Sequence, residues 1–226
     1  MTRLGGRECT ARGADDASAI SSAVLDRRRG GAGACVAAWA GPAHAATFTV
    51  TKTADTNDGA CTPSDCSLRE AIGAANSNRG ADTVNLPRGT FTLTIPGTGE
   101  DANATGDLDV TGSLTLNGNG STVDGNDLDR VFDILNGANV KLLDLTIRNG
   151  TADGDGGGID NEGTVRLNRV SIGNNVADGD GDGDAGGFDN DGGNATSTQS
   201  QISGNTDKGG EFPNCKPANA VPGCAP

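Results

Sequence analysis

Apolar side chains in the middle of the chain recur with a fixed spacing. In Val140-Lys141-Leu142-Leu143-Asp144-Leu145-Thr146-Ile147-Arg148-Asn149 they fall at positions 1, 3, 6 and 8, and Val165-Arg166-Leu167-Asn168-Arg169-Val170-Ser171-Ile172-Gly173-Asn174 repeats the pattern. A fainter copy runs from Ala195 to Asn205 and ends Gln201-Ile202-Ser203-Gly204-Asn205. The repeat distance is 25 residues from Ile147 to Ile172 and 30 from Ile172 to Ile202. Alternation with a one-residue offset is a strand signal. No 3.6-residue period is present, and glycine and β-branched residues disfavour helix. Between copies lie the turn-rich segments Gly157-Gly158-Ile159-Asp160-Asn161-Glu162-Gly163 and Gly186-Gly187-Phe188-Asp189-Asn190-Asp191-Gly192. Such a period with two short strands per unit predicts a solenoid, here an all-β parallel β-helix. Each coil turns Val, Leu and Ile inward, and because no coil buries its apolar face alone, stacking supplies the stability. A leucine-rich solenoid would need more leucine and a helical half-repeat. Asn149, Asn174 and Asn205 recur just after the strand, where stacked amides can satisfy a turn.

The flanks read differently. Thr47 to Thr51 alternates as a strand, and Ser67 followed three residues later by Glu70 is a capping box that starts a helix at Leu68. Leu68, Ala71, Ile72 and Ala75 then share one face, and Asn76 to Gly80 ends the helix. A short amphipathic helix here would close the open end of the column, whose strand edges otherwise invite aggregation. Asp82 to Ile95 reads as strand, turn and strand, and Val110 to Leu135 as less regular coils, including Leu114-Thr115-Leu116 and Val131-Phe132-Asp133-Ile134. The expected layout is a leader over 1–45, a cap over 46–107, coils over 108–212 and a tail over 213–226.

Cys66-Ser67-Leu68-Arg69-Glu70-Ala71 resembles the CSLREA motif of bacterial exported proteins, with Asp58-Gly59, Cys61 and the Asp82–Thr94 stretch similar in their flanks. The resemblance covers about residues 46–175. It implies a right-handed parallel β-helix of the pectin-lyase-like kind. The Gly-Gly-Ile and Ile-x-x-Asn units are similar to repeats of polymorphic outer-membrane and adhesin-like proteins. Such a match is weak for activity, because fold does not imply function.

Composition narrows the chemistry. Of 226 residues only 34% are hydrophobic and 37 are glycine, which a thin core with external turns tolerates. Acidic residues outnumber basic ones 30 to 17, for a net charge of −13, so nucleic acid and anionic membranes are poor partners. No run of 18 apolar residues exists, so no transmembrane helix is expected. Arg27-Arg28-Arg29, the small-residue stretch Gly31–Gly41 and the A-x-A site Ala43-His44-Ala45 read as a secretory signal peptide cleaved before Ala46. Its removal takes six basic and four acidic residues, leaving 11 basic and 26 acidic, a net of −15. It also takes the single histidine, His44, and the single tryptophan, Trp39, while tyrosine is absent throughout. Ser-His-Asp and Cys-His catalysis and histidine metal sites are thereby excluded from the mature chain. Aromatic platforms for sugars would have to come from Phe48, Phe91, Phe132, Phe188 and Phe212.

Four cysteines remain as two close pairs, Cys61 with Cys66 and Cys215 with Cys224, which in an oxidising compartment favour local disulfides. The alternative, one zinc site built from all four, has ligand spacings of four and eight residues that depart from the usual pattern. Asp178, Asp180, Asp182 and Asp184 alternate with glycine, and Asp189 follows at position 12 of a calcium-loop spacing. That position holds aspartate rather than glutamate, and no helices flank the loop, so a solvated insertion is the competing reading. The expected role is that of a secreted or cell-surface, non-catalytic structural or adhesive module, with calcium as a candidate cofactor. Its partner would be a cell-surface or extracellular-matrix component, glycan or protein. The alternative is a calcium-dependent polysaccharide lyase using Arg148, Arg166 or Arg169, cations otherwise expected to pair with Asp144 and nearby acids.

Overall fold

A chain this poor in apolar residues needs a core in which few inward side chains serve each turn of backbone. The computed structural model describes residues 44–178, 184–218 and 220–224 and shows such a core. In chain order its elements are β1 (Thr47–Thr49), α1 (Leu68–Ser77), β2 (Ala81–Asn85), β3 (Thr90–Thr92), β4 (Leu108–Val110), β5 (Ser113–Asp124), β6 (Phe132–Ile134), β7 (Asn139–Arg148) and β8 (Thr151–Ala152). They continue as β9 (Ile159–Asn161), β10 (Thr164–Ile172), β11 (Val176–Ala177), β12 (Phe188–Asp189), β13 (Asn194–Thr198), β14 (Gln201–Ile202), β15 (Thr206–Asp207) and β16 (Cys215–Lys216). The strands fall into a long sheet β1-β2-β5-β7-β10-β13, with β3 beside β5 and β14 beside β10, a sheet β4-β6-β9-β12-β16, and a short sheet β8-β11-β15. Neighbouring strands run parallel and belong to successive turns of the chain, which makes the fold a parallel β-helix.

The repeat seen in the sequence is the register of the coils. Val140, Leu142, Leu145 and Ile147 stand beside Val165, Leu167, Val170 and Ile172, and Ile172 stands beside Ile202. All of these side chains are at most 2% exposed. The offset within each unit is a corner. Asp144 (φ 51°), Arg169 (φ 54°) and Gln199 (φ 53°) take the left-handed conformation in successive coils. One such residue rotates the chain and restores inward phase for the next apolar pair. Left-handed geometry costs a non-glycine residue roughly 1–2 kcal/mol, and the Asp144–Arg169 ion pair joins two of the corners across the coils.

A second corner follows the strand at Asn149 (φ 54°), Asn174 (φ 59°) and Gly204 (φ 73°). Asn205 therefore does not stack with Asn149 and Asn174 as expected, because it lies one residue further on, level with Asn175. The buried amide ladder is Asn175, Asn205 and Asn214. Gly150 N–H donates to Asn175 Oδ1 (2.9 Å), Asn175 Nδ2 to Asn205 Oδ1 (2.9 Å) and Asn205 Nδ2 to Asn214 Oδ1 (3.1 Å).

The column extends on both sides of residues 108–212. β2 pairs with β5 inside the expected cap, and β16 pairs with β12 inside the expected tail, where Cys224 also bridges to Ile202. Helix α1 packs on β1, β2 and β4 at the first end. Its capping box is formed: Ser67 Oγ accepts from Glu70 N–H and Glu70 Oε2 accepts from Ser67 N–H. Cys61 is bonded to Cys66 and Cys215 to Cys224, so the sulfurs close local loops. Phe91, Phe132 and Phe188 are core residues no more than 2% exposed, which removes them as sugar platforms. No helix among the described residues is long and apolar enough to cross a membrane. The predicted leader, apart from His44 and Ala45, lies outside the described residues.

Candidate functional site

The sheet β4-β6-β9-β12-β16 carries an unusual face. Its strands are short, and in register they place Leu108, Phe132, Ile159, Phe188 and Cys215 inward. Strand alternation then turns the next residue outward. In register these are Asp109, Asp133, Asp160, Asp189 and finally Lys216. Four carboxylates thus stand on adjacent rungs, which in any sheet are about 4.8 Å apart. Like charges directly opposite one another destabilise a strand pair, so this arrangement works against the fold.

Loops cover the ladder rather than leaving it in water. Asp109 and Asp189 are fully buried and Asp160 is 8% exposed. Over Asp109 the 96–107 loop folds around Glu100, whose carboxylate accepts N–H bonds from Ala102 (2.9 Å), Ala104 (2.6 Å) and Thr105 (2.7 Å). The loop closes through Gly106 (φ 59°), where a Cβ would meet Gly97 O at 2.3 Å and Asp129 Oδ2 at 2.4 Å. Asn103 N–H then donates to Asp109 Oδ2 (2.6 Å). At the other end, the Asp155 carboxylate adjoins Asp184 and Asp189, with Lys216 Nζ 3.1 Å from Asp155 and 3.4 Å from Asp189.

Compensation is unequal along the ladder. Arg130 serves the middle: Nη1 is 2.7 Å from Asp160 Oδ2 and 3.6 Å from Asp133 Oδ2, and Nε is 3.5 Å from Asp107 Oδ2. Lys216 serves the far end. Among the described residues no cation pairs with Asp101 or Asp109. Asp109 Oδ1, Asp160 Oδ1 and both Asp189 oxygens are buried without a hydrogen-bond partner. The electrostatics follow. Burial, with Glu100, Asp133 and Asp101 adding repulsion, pushes the Asp109 carboxyl up to about 7. Burial likewise raises Asp107 to about 8, Asp189 to about 7 and Asp133 to about 6, the last despite Arg130. Asp101, Asp109 and Asp133 bring one carboxylate oxygen each within 4.8 Å of one another. A cleft of about 390 Å³ lies alongside, lined by Asp129, Arg130, Asp153 and Asp178 among others.

The residues singled out from the sequence are distributed differently. Of the proposed calcium loop, Asp180 and Asp182 lie outside the described residues. Of the other three, Asp178 stands apart, paired with Lys208 (2.6 Å), while Asp184 and Asp189 meet at the Asp155 carboxylate, Asp189 as the last acid of the ladder facing Lys216. The arginines of the lyase reading sit on the long sheet, not on the aspartate sheet. Arg148 pairs with Asp124 (3.0 Å), Arg169 with Asp144, and Arg166 donates to Asn139 Oδ1 (2.8 Å). The ladder itself was missed. Its sequence signal is a recurring apolar-Asp-x triplet: Leu108-Asp109-Val110, Phe132-Asp133-Ile134, Ile159-Asp160-Asn161 and Phe188-Asp189-Asn190.

The CSLREA-like segment is occupied in holding the cap. Arg69, 1% exposed, donates to Asp55 Oδ1 (2.8 Å) and Oδ2 (3.2 Å), and to the carbonyls of Thr105 (3.3 Å), Gly106 (2.7 Å) and Asp107 (2.6 Å). Those five contacts use all its donors. No protein-family model matches the chain, and neither a curated protein nor a solved structure gives a significant match.

Proposed function

We propose that this chain is an exported bacterial β-helix of the CSLREA type that acts outside the cell as a rigid structural or adhesive module, without turning over its ligand. One observation carries the non-catalytic part. A lyase needs an acid-held cation and a free basic side chain over the same substrate bond, yet Arg148, Arg166 and Arg169 stand on the long sheet with partners of their own, and Arg130, the arginine that reaches the aspartate ladder, is paired with Asp160. The export part is supported by two local disulfides, which persist in oxidising compartments, and by the resemblance of Cys66–Ala71. A strongly negative surface further disfavours acidic glycans as ligands.

The test runs the protein lacking residues 1–45 against uronic-acid polymers, following the absorbance of the unsaturated product, and in parallel against immobilised matrix proteins and glycans. Binding without product is expected. Turnover that disappears in Arg166→Ala would replace this reading with the lyase. Mass spectrometry of the full chain expressed with an export pathway should find a new N-terminus at Ala46 and no free thiol on Cys61, Cys66, Cys215 or Cys224. An uncleaved, reduced product would remove the export claim.

A further inference from the structure

We infer that Asp101, Asp109 and Asp133 hold a hard divalent cation, calcium in kind, pinning the 96–107 loop to the first rungs of the aspartate sheet. Three acids near one another would not suffice, since exposed clusters are common. The second observation is Asp109 itself. It is fully buried, its Oδ2 accepts from Asn103 N–H, and its Oδ1 faces no donor. A buried carboxylate oxygen without a donor is strongly destabilising unless a proton or a cation meets it. Arg130 and Lys216 reach Asp133, Asp160 and Asp189 but form no ion pair with Asp109 or Asp101. The missing positive charge is therefore localised at the Asp101–Asp109 end.

The donor set selects the ion. Three carboxylate oxygens with neither nitrogen nor sulfur suit calcium, magnesium or manganese rather than zinc or copper. Their mutual distances, all within 4.8 Å, match oxygens placed around a centre at calcium distances of about 2.3–2.6 Å. Magnesium demands near-ideal octahedral geometry, gives up its waters reluctantly and usually takes one or two carboxylates, so a three-carboxylate set favours calcium. Asp101 is exposed, so water completes the shell from the solvent side. Because Asp101 stands on the loop and Asp109 and Asp133 on β4 and β6, binding ties loop to sheet. This site is separate from the 178–189 loop and does not depend on the extracellular role proposed above.

The experiment uses the chelator-treated full chain. Calcium and magnesium are each titrated calorimetrically, with thermal unfolding followed at matched metal concentrations. One calcium per chain and a calcium-dependent rise in Tm are expected, with a smaller response to magnesium. Asp101→Asn, an exposed change that leaves the core intact, should weaken calcium roughly tenfold or more, since loss of mere supporting groups around a metal already costs about 10–100-fold. Asp109→Asn should abolish the calcium response, and Asp180→Asn/Asp182→Asn should bind as the wild type does. No heat and no Tm change at millimolar calcium would overturn the site. So would wild-type binding in Asp101→Asn, or a response lost only in Asp180→Asn/Asp182→Asn.

Discussion

Around Arg69, oppositely charged side chains are buried with their hydrogen-bonding groups engaged, whereas on the aspartate sheet Asp109, Asp160 and Asp189 are buried carboxylates with oxygens to spare. In the cap, Asp55 Oδ2 accepts from Arg69 and from the backbone N–H groups of Thr94 (2.8 Å) and Ile95 (3.1 Å). Glu70 takes N–H bonds from Ser67 (2.8 Å) and Asp58 (3.2 Å) and a hydroxyl from Thr56 (3.2 Å). Burial alone would raise Glu70, but those N–H donors hold it below the usual carboxylate range. On the ladder the Asn103 N–H, Arg130 and Lys216 offset burial only in part, and the carboxyls rise. The difference separates two uses of buried charge. The cap's network fixes the end of the column, and the ladder stores an unmet demand for positive charge.

The largest effect should come from breaking the cap. Arg69→Met leaves Asp55 buried without its cation, and removal of one partner from such a pair costs about 3–5 kcal/mol. Urea unfolding measures it, and adding Asp55→Asn should return part of the loss. A loss below about 1 kcal/mol would place this pair in the surface class and erase the contrast. Next, Cys61→Ser/Cys66→Ser and Cys215→Ser/Cys224→Ser should each cost about 2–3 kcal/mol in the chain-entropy model, the second slightly more because its loop is longer. On the ladder the sign reverses. Without metal at neutral pH, Asp109→Asn should raise stability by on the order of 1 kcal/mol by removing a like-charge neighbour of Asp133. Arg169→Ala, on an exposed corner pair, should leave the urea midpoint unchanged.

Acid should also treat the two regions oppositely. Asp109, Asp133, Asp189 and Asp107 have folded pKa values of about 7, 6, 7 and 8, above an unfolded value of about 3.9. Such groups bind protons more tightly when folded, so stability falls as pH rises from about 4 towards 8. Glu70, Asp155 and Asp207 are shifted down, and their contribution is lost as pH falls below about 4. Metal-free stability should therefore peak at mildly acidic pH in a series of thermal scans. Calcium should move the peak towards neutrality, because metal and proton compete for the same oxygens.

Much of the column could be read from the sequence because its cause is periodic. Val140 to Ile147 and Val165 to Ile172 carry register, facing and corner position together, and Ser67 with Glu70 marks the helix start through local geometry. The asparagine assignment slipped by one because Gly204 occupies the corner that Asn149 and Asn174 occupy elsewhere, and composition alone does not say which neighbour is left-handed. The ladder was hidden for another reason. Asp109 and Asp133 are 24 residues apart, whereas Asp133 and Asp160 are 27 apart and Asp160 and Asp189 are 29 apart, so no fixed period ties them. Only the pairing of β4, β6, β9 and β12 brings them level, while the conspicuous Asp-Gly run drew attention to its own spacing. Likewise nothing local to Arg69 announces that the carbonyls of residues 105–107, far along the chain, close over it.

The central claim is that the aspartate sheet, unlike the cap, lacks positive charge at Asp109. The most direct test is the Tm of the wild type and Asp109→Asn between about pH 5 and about pH 8, with chelator and with calcium. The account predicts that the metal-free wild type loses stability as pH rises, that Asp109→Asn loses less, and that calcium restores only the wild type. A wild type that gains stability over the same range, with Asp109→Asn less stable throughout and calcium without effect on either, would contradict it.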